Sequence, residues 1–304
     1  MARLRRSCLA VPGSSEKMLA KAATLPADQV FLDLEDAVAP LEKTDATRQK
    51  IVDALNEQKW LATTKVVRVN DVGTRWCFRD IVYVVERAGA ALDCIMLPKA
   101  ESAGDVQFVD RLLSQLEAEL GLTRRIGLEV QIESPLGLVN IEQIAQASSR
   151  IETLIFGPGD FAATVGMPQL SVGASEPEYG GDQWHYVLWR ILTTARAFGL
   201  QAIDGPYAQI RDPDGFRTVA RRSQLLGFDG KWALHPDQIA SCNEIYAPTP
   251  AEYERAVRIL DAYEAATGGD RLGAVMFEGE MIDEASRKMA LQVAARGRAS
   301  RLVV

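Results

Sequence analysis

Charged side chains follow short apolar segments at several places along this sequence. Glu133 comes directly after the segment 126–132, and Asp160 comes shortly after 154–156. The same pattern recurs elsewhere, at Asp33, Glu35, Asp36, Arg68, Asn70, Lys99, Ser134, Asp204, Lys231 and His235. If the apolar segments are parallel strands of one barrel, their carboxyl ends meet at one rim of the molecule. The pattern therefore predicts a cluster of carboxylates and cations with the character of an active site.

The composition of this cluster favours a hard divalent cation. Carboxylate oxygens without thiolates or several imidazoles are typical ligands of Mg²⁺ or Mn²⁺. Glu133 and Asp160 follow neighbouring predicted strands and are the best pair of ligands in the sequence. A structural zinc site is not expected, because the sequence has only 2 histidines and its 4 cysteines include no C-x-x-C pair.

Two lysines allow a second kind of chemistry. A lysine inside a barrel can form a Schiff base with a carbonyl substrate, and Lys99 and Lys231 are the candidates. Ion pairing with neighbouring carboxylates is the alternative, which we favour for both. We take Arg68, Lys99 and Asp204 as candidate substrate-binding residues, although a polar residue after a strand, such as Asp36 or Asp204, can also cap a helix.

Eight strand–helix units account for the spacing of these residues. Amphipathic stretches such as 105–120, where Val106, Val109 and Leu113 share one helical face, separate the apolar runs. The predicted strands span 8–11, 30–34, 66–69, 94–97, 126–132, 154–156, 201–203 and 231–234. Eight such units predict an α/β TIM (β/α)8 barrel. A doubly wound open sheet is the alternative, but the segment VPGSSEK after the first strand lacks the G-x-G-x-x-G phosphate-binding pattern.

The sequence also predicts two parts of unequal size. We assign residues 1–248 to the barrel, which contains a long loop rich in Gly and Pro at 167–182. Residues 249–304 follow the eighth unit and contain two predicted helices, 250–267 and 283–295, of which the first ends at Gly268 and Gly269. We interpret this C-terminal extension as a helical lid.

Composition limits the class of protein to which the chain can belong. Hydrophobic residues make up 47% of the 304 residues and charged residues 25%, as in soluble globular proteins. A formal net charge of −7 is a poor match to nucleic-acid binding. No apolar run approaches the roughly 18 residues of a membrane span, and we expect no secretory signal. Cys8, Cys77, Cys94 and Cys242 are expected to be reduced thiols in a cytoplasmic protein.

Several motifs give the sequence a specific resemblance. They are DLEDAVAP at 33–40, RVN at 68–70, LPK at 97–99, IESPLG at 132–137, FGPGDFAATVG at 156–166 and GKWALHP at 230–236. In this order they resemble the citrate lyase β-subunit-like family, also called HpcH/HpaI aldolases. Three further segments, at 181–191, 199–216 and 279–285, are most similar to the L-malyl-CoA/β-methylmalyl-CoA lyases of that family. The resemblance spans nearly the whole chain and implies a Mg²⁺-dependent TIM barrel that cleaves or forms carbon–carbon bonds.

The resemblance also implies roles for individual residues of the barrel. Glu133 and Asp160 match the two carboxylates that hold Mg²⁺ in the family. Arg68 matches the arginine that binds the carbonyl and carboxylate groups of the substrate. Glu35 and Asp36 match acidic residues close to the metal, and we include them among the candidate catalytic residues.

A further implied residue lies in the C-terminal extension. Asp283, in the triplet MID, matches an acidic residue on a lid that reaches the active site of a neighbouring subunit, so the implied assembly is a homotrimer or hexamer. Without the resemblance, Asp283 is explained as the N-cap or first-turn acid of the last helix. The phosphates of coenzyme A need cations, and Arg5, Arg6 and Lys17 in the first βα unit are candidates without a specific spacing.

The expected reaction is a reversible Claisen cleavage. A 3-carboxy-3-hydroxyacyl-CoA such as L-malyl-CoA or β-methylmalyl-CoA would give glyoxylate and acetyl-CoA or propionyl-CoA. Mg²⁺ would lower the pKa of the substrate hydroxyl. Arg68 would stabilise the enolate, and Asp283 would exchange a proton with the enolate carbon.

Other functions are compatible with the same residues. The chain could be a citryl- or citramalyl-CoA lyase, or a citrate lyase β-subunit acting on an acyl-carrier protein. It could also be a CoA-independent 2-keto-3-hydroxy acid aldolase, or an enzyme that follows the condensation with thioester hydrolysis. A barrel that has lost activity and serves as a binding module is the non-enzymatic alternative, against which Glu133, Asp160 and Arg68 argue.

Overall fold

The computed structural model describes residues 3–168, 170–174, 179–267 and 273–300. The chain divides into two compact units, one up to Asn243 and one from Glu244. No helix in these ranges is long and apolar enough to cross a membrane.

The first unit is a closed barrel of parallel strands, which confirms the predicted TIM-like fold. The strands are β1 (Ser7–Pro12), β2 (Gln29–Asp33), β3 (Thr64–Arg68), β4 (Cys94–Leu97), β5 (Gly127–Ile132), β6 (Ile151–Phe156), β7 (Gln201–Asp204) and β8 (Gly230–Ala233). Each strand pairs with the next, and β8 closes the barrel on β1 by pairing Lys231 with Ser7. All their carboxyl ends therefore lie at the same rim.

Helices follow the strands on the outside of the barrel. They are α1 (Glu16–Ala23), α2 (Asp45–Glu57), α3 (Cys77–Ala88), α4 (Ala103–Leu120), α5 (Pro135–Val139), α6 (Ile141–Ala145), α7 (Pro158–Val165), α8 (His185–Ala197), α9 (Pro213–Leu226) and α10 (Asp237–Ile245). Helix α4 begins with a capping box between Ser102 and Asp105 and ends at Gly121 in the left-handed conformation. Helix α7 begins immediately after β6 with proline in its first turn, and the apolar pattern of the sequence did not predict it.

The barrel interior is filled by side chains that alternate along each strand. A buried apolar cluster occupies the middle and consists of Cys8, Phe31, Val66, Cys94, Met96, Ile155, Ile203 and Trp232. Because side chains point to opposite faces at successive positions, the residues two places further along these strands also face inward, toward the carboxyl rim. Asp33, Arg68 and Leu234 stand in that relation to Phe31, Val66 and Trp232. The alternation of side chains along the strands thus places charged groups directly above the apolar cluster, at the carboxyl rim of the barrel.

The opposite end of the barrel is closed by a buried polar network around Arg5. Its guanidinium donates to Glu129 at 2.8 Å, to Gln29 at 2.9 Å and to Glu152 at 2.6 Å. Arg5 is 1% exposed and Glu129 is fully buried, so the network is shielded from solvent. Buried charges persist in proteins when they are paired and hydrogen-bonded, as these are.

The second unit contains α11 (Pro250–Ala265), the strands β9 (Ala274–Phe277) and β10 (Glu280–Asp283), and α12 (Glu284–Ala299). Strands β9 and β10 form an antiparallel hairpin that the sequence analysis did not predict. Helices α11 and α12 pack closely at Gly297, where a Cβ atom would lie 2.2 Å from the ring of Tyr253. Gly268 and Gly269, predicted to end the first helix, lie outside the described residues.

Candidate active site

A cavity of about 350 Å³ opens at the carboxyl ends of the barrel strands. Its lining includes Asp36, Arg68, Glu133 and Asp160, four of the residues that the sequence singles out. The apolar lining is supplied by residues such as Ala10, Val172, Pro206, Trp232 and Leu234. An apolar concave site with a few converging charged groups is the usual form of a small-molecule binding site.

Arg68 is held rigidly in the wall of this cavity. It ends β3, and its Nε and Nη2 donate to the two carboxylate oxygens of Asp33 at 2.7 and 2.6 Å. Its Nη1 lies 3.0 Å from Glu35, and its guanidinium carbon lies 5.3 Å from the centre of the Trp232 ring. Burial alone would lower the pKa of Arg68, but Asp33 outweighs that effect and the pKa lies above its usual value. Arg68 is therefore a fixed cation with N–H groups left over for a ligand.

Glu133 is a buried carboxylate that follows β5 and is 4% exposed. Its Oε1 accepts the backbone N–H of Lys99 at 2.7 Å, and its Oε2 accepts Nε2 of Gln131 at 3.1 Å. Burial raises the pKa of Glu133 to about 8, against the lowering effect of Arg68, and the charges of Glu35 and Asp160 raise it further. The attraction of Arg68 therefore does not offset the desolvation of the Glu133 carboxylate.

Lys99 connects the acidic groups of the rim. Its ammonium contacts Glu35 directly and lies 3.5 Å from Asp36 and 3.8 Å from Asp160. Burial lowers the pKa of Lys99, but the hydrogen bond to Glu35 and the charges of Glu35, Asp36 and Asp160 together outweigh it, so the pKa is raised. A lysine kept protonated in this way is a poor Schiff-base nucleophile, so the geometry favours the ion-pair interpretation.

Asp160 and Glu133 together form a pair of oxygen donors suited to Mg²⁺. Asp160 lies in the first turn of α7, and its side chain is 42% exposed. Gly157 leaves room for the Glu133 carboxylate, because a Cβ atom at position 157 would lie 2.4 Å from Oε2 of Glu133. Among the residues that the structure describes, no group of three or more His, Cys, Asp or Glu residues is arranged to hold a metal ion. Mg²⁺ is commonly held by one or two carboxylates with its other positions taken by water and substrate, so this pair fits.

The structure places Asp204 and Lys231 outside the cavity, where they form the kind of ion pair that was favoured for Lys231. Ile203 and Trp232 belong to the interior cluster, so their neighbours Asp204 and Lys231 face the surrounding helices. The Nζ of Lys231 donates to Asp204 and to the backbone oxygen of Gly205, both at 2.7 Å, and neither charged residue lines the cavity. The apolar segments indicate where the strands end, but the face that each side chain occupies follows from the alternation along the strand.

The candidates for binding the phosphates of coenzyme A also need correction. Arg5 and Arg6 precede β1, so they lie at the end of the barrel opposite the cavity. Arg5 is buried in the network described above, and Arg6 pairs with Asp28 at 2.8 Å. Of the three candidates, only Lys17 is exposed, near the beginning of α1.

Asp283 lies in the second unit, at the junction of β10 and α12. Its Oδ1 accepts the backbone N–H groups of Ala285 at 2.9 Å and Ser286 at 3.0 Å, so it caps α12. These hydrogen bonds, that of Ser286 above all, lower the pKa of Asp283. The helix-cap explanation of this residue is therefore confirmed, whatever further role it has.

Gln131 and Trp232 line the cavity without having been predicted as site residues, and Asp33 was predicted at the rim but without its contact to Arg68. Asp33 anchors Arg68, Gln131 contacts Glu133, and Trp232 lies under Arg68. All three occupy inward positions of their strands, two residues from Glu35, Glu133 and Leu234 respectively. The period of two along each predicted strand was the signal that could have found them.

Comparisons with known proteins place these residues in context. A family model described as HpcH/HpaI aldolase/citrate lyase matches residues 6–236. An L-malyl-CoA/β-methylmalyl-CoA lyase of Cereibacter sphaeroides is 40% identical over 298 residues, which cover 95% of this chain and 93% of the relative. The citrate lyase subunit beta of Escherichia coli is 35% identical over 282 residues, covering 92% and 89% of the two chains.

A solved structure shows the same likeness in three dimensions. The crystal structure of CitE from Mycobacterium tuberculosis, in complex with magnesium, acetoacetate and coenzyme A, has a TM-score of 0.73 to this chain. The two are 30% identical, and the match covers 96% of this chain and 97% of the other. The likeness therefore extends over nearly the full length of both chains.

Proposed function

This chain belongs to the HpcH/HpaI aldolase/citrate lyase family and is a carbon–carbon lyase, and from that premise we propose that its substrate is a 3-carboxy-3-hydroxyacyl-CoA. L-Malyl-CoA and β-methylmalyl-CoA are the proposed substrates, since the relative from Cereibacter sphaeroides is named for both. Cleavage would release glyoxylate with acetyl-CoA or propionyl-CoA. The observation that carries this proposal is the meeting of Arg68, Glu133 and Asp160 at one cavity.

Glu133 and Asp160 are the residues that would hold a divalent cation, Mg²⁺ or in its place Mn²⁺. When bound, the cation would supply Lewis-acid chemistry that acidifies the hydroxyl group of the substrate. The backbone N–H of Lys99 and the amide of Gln131 hold the Glu133 carboxylate in place for this task. Preorganised ligands of this kind need little rearrangement when the cation and substrate arrive.

Arg68 stabilises the negative charge that develops on the substrate. Breaking the bond between the hydroxyl-bearing carbon and its neighbour leaves the electron pair on the thioester fragment as an enolate. Hydrogen bonds to Asp33 occupy two of the five N–H donors of Arg68, and Nη1 forms an ion pair with Glu35 at 3.0 Å. The remaining donors are fixed before the reaction and can bind a carboxylate or an enolate oxygen without reorganisation.

The rim of the cavity carries an ion-pair cluster of Glu35, Asp36 and Lys99, which we propose keeps the charges around the substrate balanced. Glu35 contacts both Arg68 and Lys99, so it fixes the two cations relative to each other. Asp36 lies at the edge of the cavity with its side chain 57% exposed. The Lys99 ammonium can reach the carboxylate of a substrate from this position, which keeps it as a substrate-binding residue in the proposal.

Asp283 is proposed to exchange the proton of the enolate carbon in the active site of a neighbouring subunit. This role requires a homo-oligomer, a trimer or hexamer. The barrel surface supports self-association, because Leu136, Val139, Tyr186 and Trp189 are exposed by 48% or more on the neighbouring helices α5 and α8. Exposed apolar patches of this kind commonly mark protein interfaces.

A citryl or citramalyl thioester is the second candidate for the substrate. The identity of 35% to the citrate lyase subunit beta of Escherichia coli is the observation that favours it. Both candidates use the same carboxylate pair and the same arginine, so the oxo acid released is what distinguishes them. The cytoplasm is the proposed compartment for either reaction, in keeping with free, buried thiols at all four cysteines.

The proposal is tested by following oxo-acid release from L-malyl-CoA and citramalyl-CoA in the presence of Mg²⁺. We expect glyoxylate from L-malyl-CoA, its loss on addition of EDTA, and its loss in the variant Glu133→Gln. Glu86→Gln, which changes an exposed carboxylate on α3, is the matched control and should keep full activity. Pyruvate from citramalyl-CoA alone would favour the second candidate. Release of neither oxo acid would contradict malyl-CoA and citramalyl-CoA as substrates, and oxaloacetate from citryl-CoA would then identify the citryl thioester.

A further inference from the structure

Gln131 is a buried amide whose hydrogen bonding is unusual. It lies on β5, is 1% exposed and contributes to the lining of the cavity. Its register partner on β6 is Ile155, a member of the interior cluster, so Gln131 faces the barrel interior. Amides at such positions normally satisfy both their donor and their acceptor groups.

Only one end of this amide has a partner among the described residues. The Nε2 of Gln131 donates to Oε2 of Glu133 at 3.1 Å, while its Oε1 is buried without a hydrogen bond. An unpaired buried acceptor is costly, and an apolar side chain of the same size would avoid that cost. Packing and a wider hydrogen-bond network therefore do not explain glutamine here. The contact with Glu133 does.

That contact fixes the rotation of the Glu133 carboxylate. Lys99 holds Oε1 through its backbone N–H, and Gln131 holds Oε2 on the side away from the rim. Gly157 leaves room for the side chain itself, because a Cβ atom there would lie 2.4 Å from both the Cβ and the Oε2 of Glu133. Each carboxylate oxygen has a second lone pair for another partner. The two hydrogen bonds fix the plane of the Glu133 carboxylate, so its remaining lone pairs point in a fixed direction.

We propose that Gln131 is a positioning residue, whose amide N–H orients Glu133 toward the divalent cation. This inference rests on the proposed function, since it takes Glu133 as a ligand. Partners that orient metal ligands are worth about 10- to 100-fold in metal affinity or activity in other proteins. We expect an effect of that size when the donor is removed.

The variant Gln131→Met tests the proposal by removing the donor while keeping the length of the side chain. Mn²⁺ is titrated into the protein without substrate, and free Mn²⁺ is followed by electron paramagnetic resonance. Affinity should fall by about 10- to 100-fold. In turnover assays, the KM for the metal should rise by more than kcat at saturating metal falls, a split that loss of stability alone does not produce.

Thr153→Val is the matched control. Thr153 also faces the barrel interior, is fully buried and carries a hydroxyl without a partner, but it does not contact Glu133. Its replacement should leave Mn²⁺ affinity unchanged. Gln131→Leu repeats the test with another shape, so that a folding defect in one variant does not decide the result.

Two results overturn the proposal in distinguishable ways. If both Gln131 variants fold and bind Mn²⁺ as tightly as the unmodified protein, while Glu133→Gln has lost binding, Gln131 has no positioning role although the metal site stands. If Glu133→Gln also binds as tightly as the unmodified protein, Glu133 is not a ligand, and the metal assignment in the proposed function fails together with the role of Gln131.

Discussion

Arg68 and Glu133 show how single residues set the chemistry of the cavity. Arg68 is buried and almost neutralised by Asp33 and Glu35, so its value lies in the direction of its remaining N–H groups. Glu133 is buried and under-neutralised, which makes it a strong acceptor for a cation. Arg68 thus supplies hydrogen-bond donors in fixed directions, and Glu133 supplies a carboxylate that can bind a cation.

Replacing Arg68 by lysine should separate geometry from charge. An ammonium cannot keep both bonds to Asp33 and still present a planar pair of donors to the substrate. We expect kcat/KM to fall by about 10²- to 10³-fold, the usual effect of losing one preorganised donor. Arg150→Lys is the control, because Arg150 is equally buried and paired with Asp110 and Glu117 away from the cavity. It should lower the melting temperature and leave kcat/KM intact; an equal loss in both variants would contradict the role of Arg68.

The raised pKa of Glu133 makes a prediction about stability in metal-free buffer. Since the folded-state pKa of about 8 exceeds the ordinary value of 4.5, the folded protein retains a proton that the unfolded chain loses between these values. The free energy of unfolding should therefore fall as pH rises through this window. The variant Glu133→Gln has no ionisable group at this position, so this loss of unfolding free energy should be absent from it. The loss amounts to a few kcal/mol, at roughly 1.4 kcal/mol per pKa unit.

Chemical denaturation at pH 5 to 9 measures this difference directly. Glu86→Gln is the control, because Glu86 is an exposed carboxylate on α3 that pairs with Arg87 away from Glu133, and the variant should keep the pH dependence of the unmodified protein. Identical slopes for Glu133→Gln and the unmodified protein would show that Glu133 is not desolvated as the structure indicates.

The junction between β6 and α7 is the element that shapes the metal site. β6 ends at Phe156, Gly157 leaves room for the Glu133 carboxylate, and α7 begins at Pro158 and carries Asp160 in its first turn. The N-terminus of a helix favours negative charge, which suits a carboxylate at that position. One short turn therefore both makes room for the Glu133 carboxylate and carries Asp160, the second proposed metal ligand.

Two glycines in this junction provide a matched pair of variants. A Cβ atom at Gly157 would lie 2.4 Å from Glu133, whereas one at Gly159 meets only Val172, at 3.4 Å or more. Gly157→Ala should therefore weaken metal binding and turnover by at least about 10-fold, the scale seen when a ligand is misplaced. Gly159→Ala adds a methyl group to the cavity lining without reaching Glu133, so it should fold and bind the metal with unchanged affinity, as alanine is favourable inside a helix. Metal titration of both variants decides the matter, and equal affinities would contradict the role of Gly157.

The sequence predicted the elements better than it predicted the directions of their side chains. Eight apolar runs located the strands, because strands of a parallel barrel are buried on both faces. The same continuous burial hides which face a residue occupies, so Asp204 and Lys231 were assigned to the cavity although they face the helices. Gln131 was missed for the same reason. The hairpin of β9 and β10 was missed because each strand has only four residues and those of β9 are all apolar, so the sequence of β9 shows no alternation of apolar and polar positions.

At the scale of the whole molecule, the open question is how the two compact units cooperate. Glu133 belongs to the first unit and Asp283 to the second, and each has a defined local environment. Asp283 caps α12 within its own unit, with a lowered pKa. In its proposed catalytic role Asp283 acts in a neighbouring subunit, so that role depends on the assembly of several chains.

Complementation between two inactive variants tests that statement. Glu133→Gln and Asp283→Asn should each be inactive when pure. After mixing under conditions that exchange subunits, active sites that combine an intact Glu133 from one protomer with an intact Asp283 from another should recover a measurable fraction of activity. If the two residues act within one protomer, mixing restores nothing, and the proposed action across subunits is contradicted.

The central claim is that this chain makes and breaks a carbon–carbon bond next to a thioester. The most direct measurement is to incubate the pure protein with Mg²⁺, glyoxylate and either acetyl-CoA or propionyl-CoA, and to identify the products by mass. The account predicts malyl-CoA or methylmalyl-CoA, abolished by EDTA and by Glu133→Gln. The absence of product with either acyl-CoA, together with cleavage of a free keto-hydroxy acid, would contradict the claim and leave Asp283 with its structural role alone.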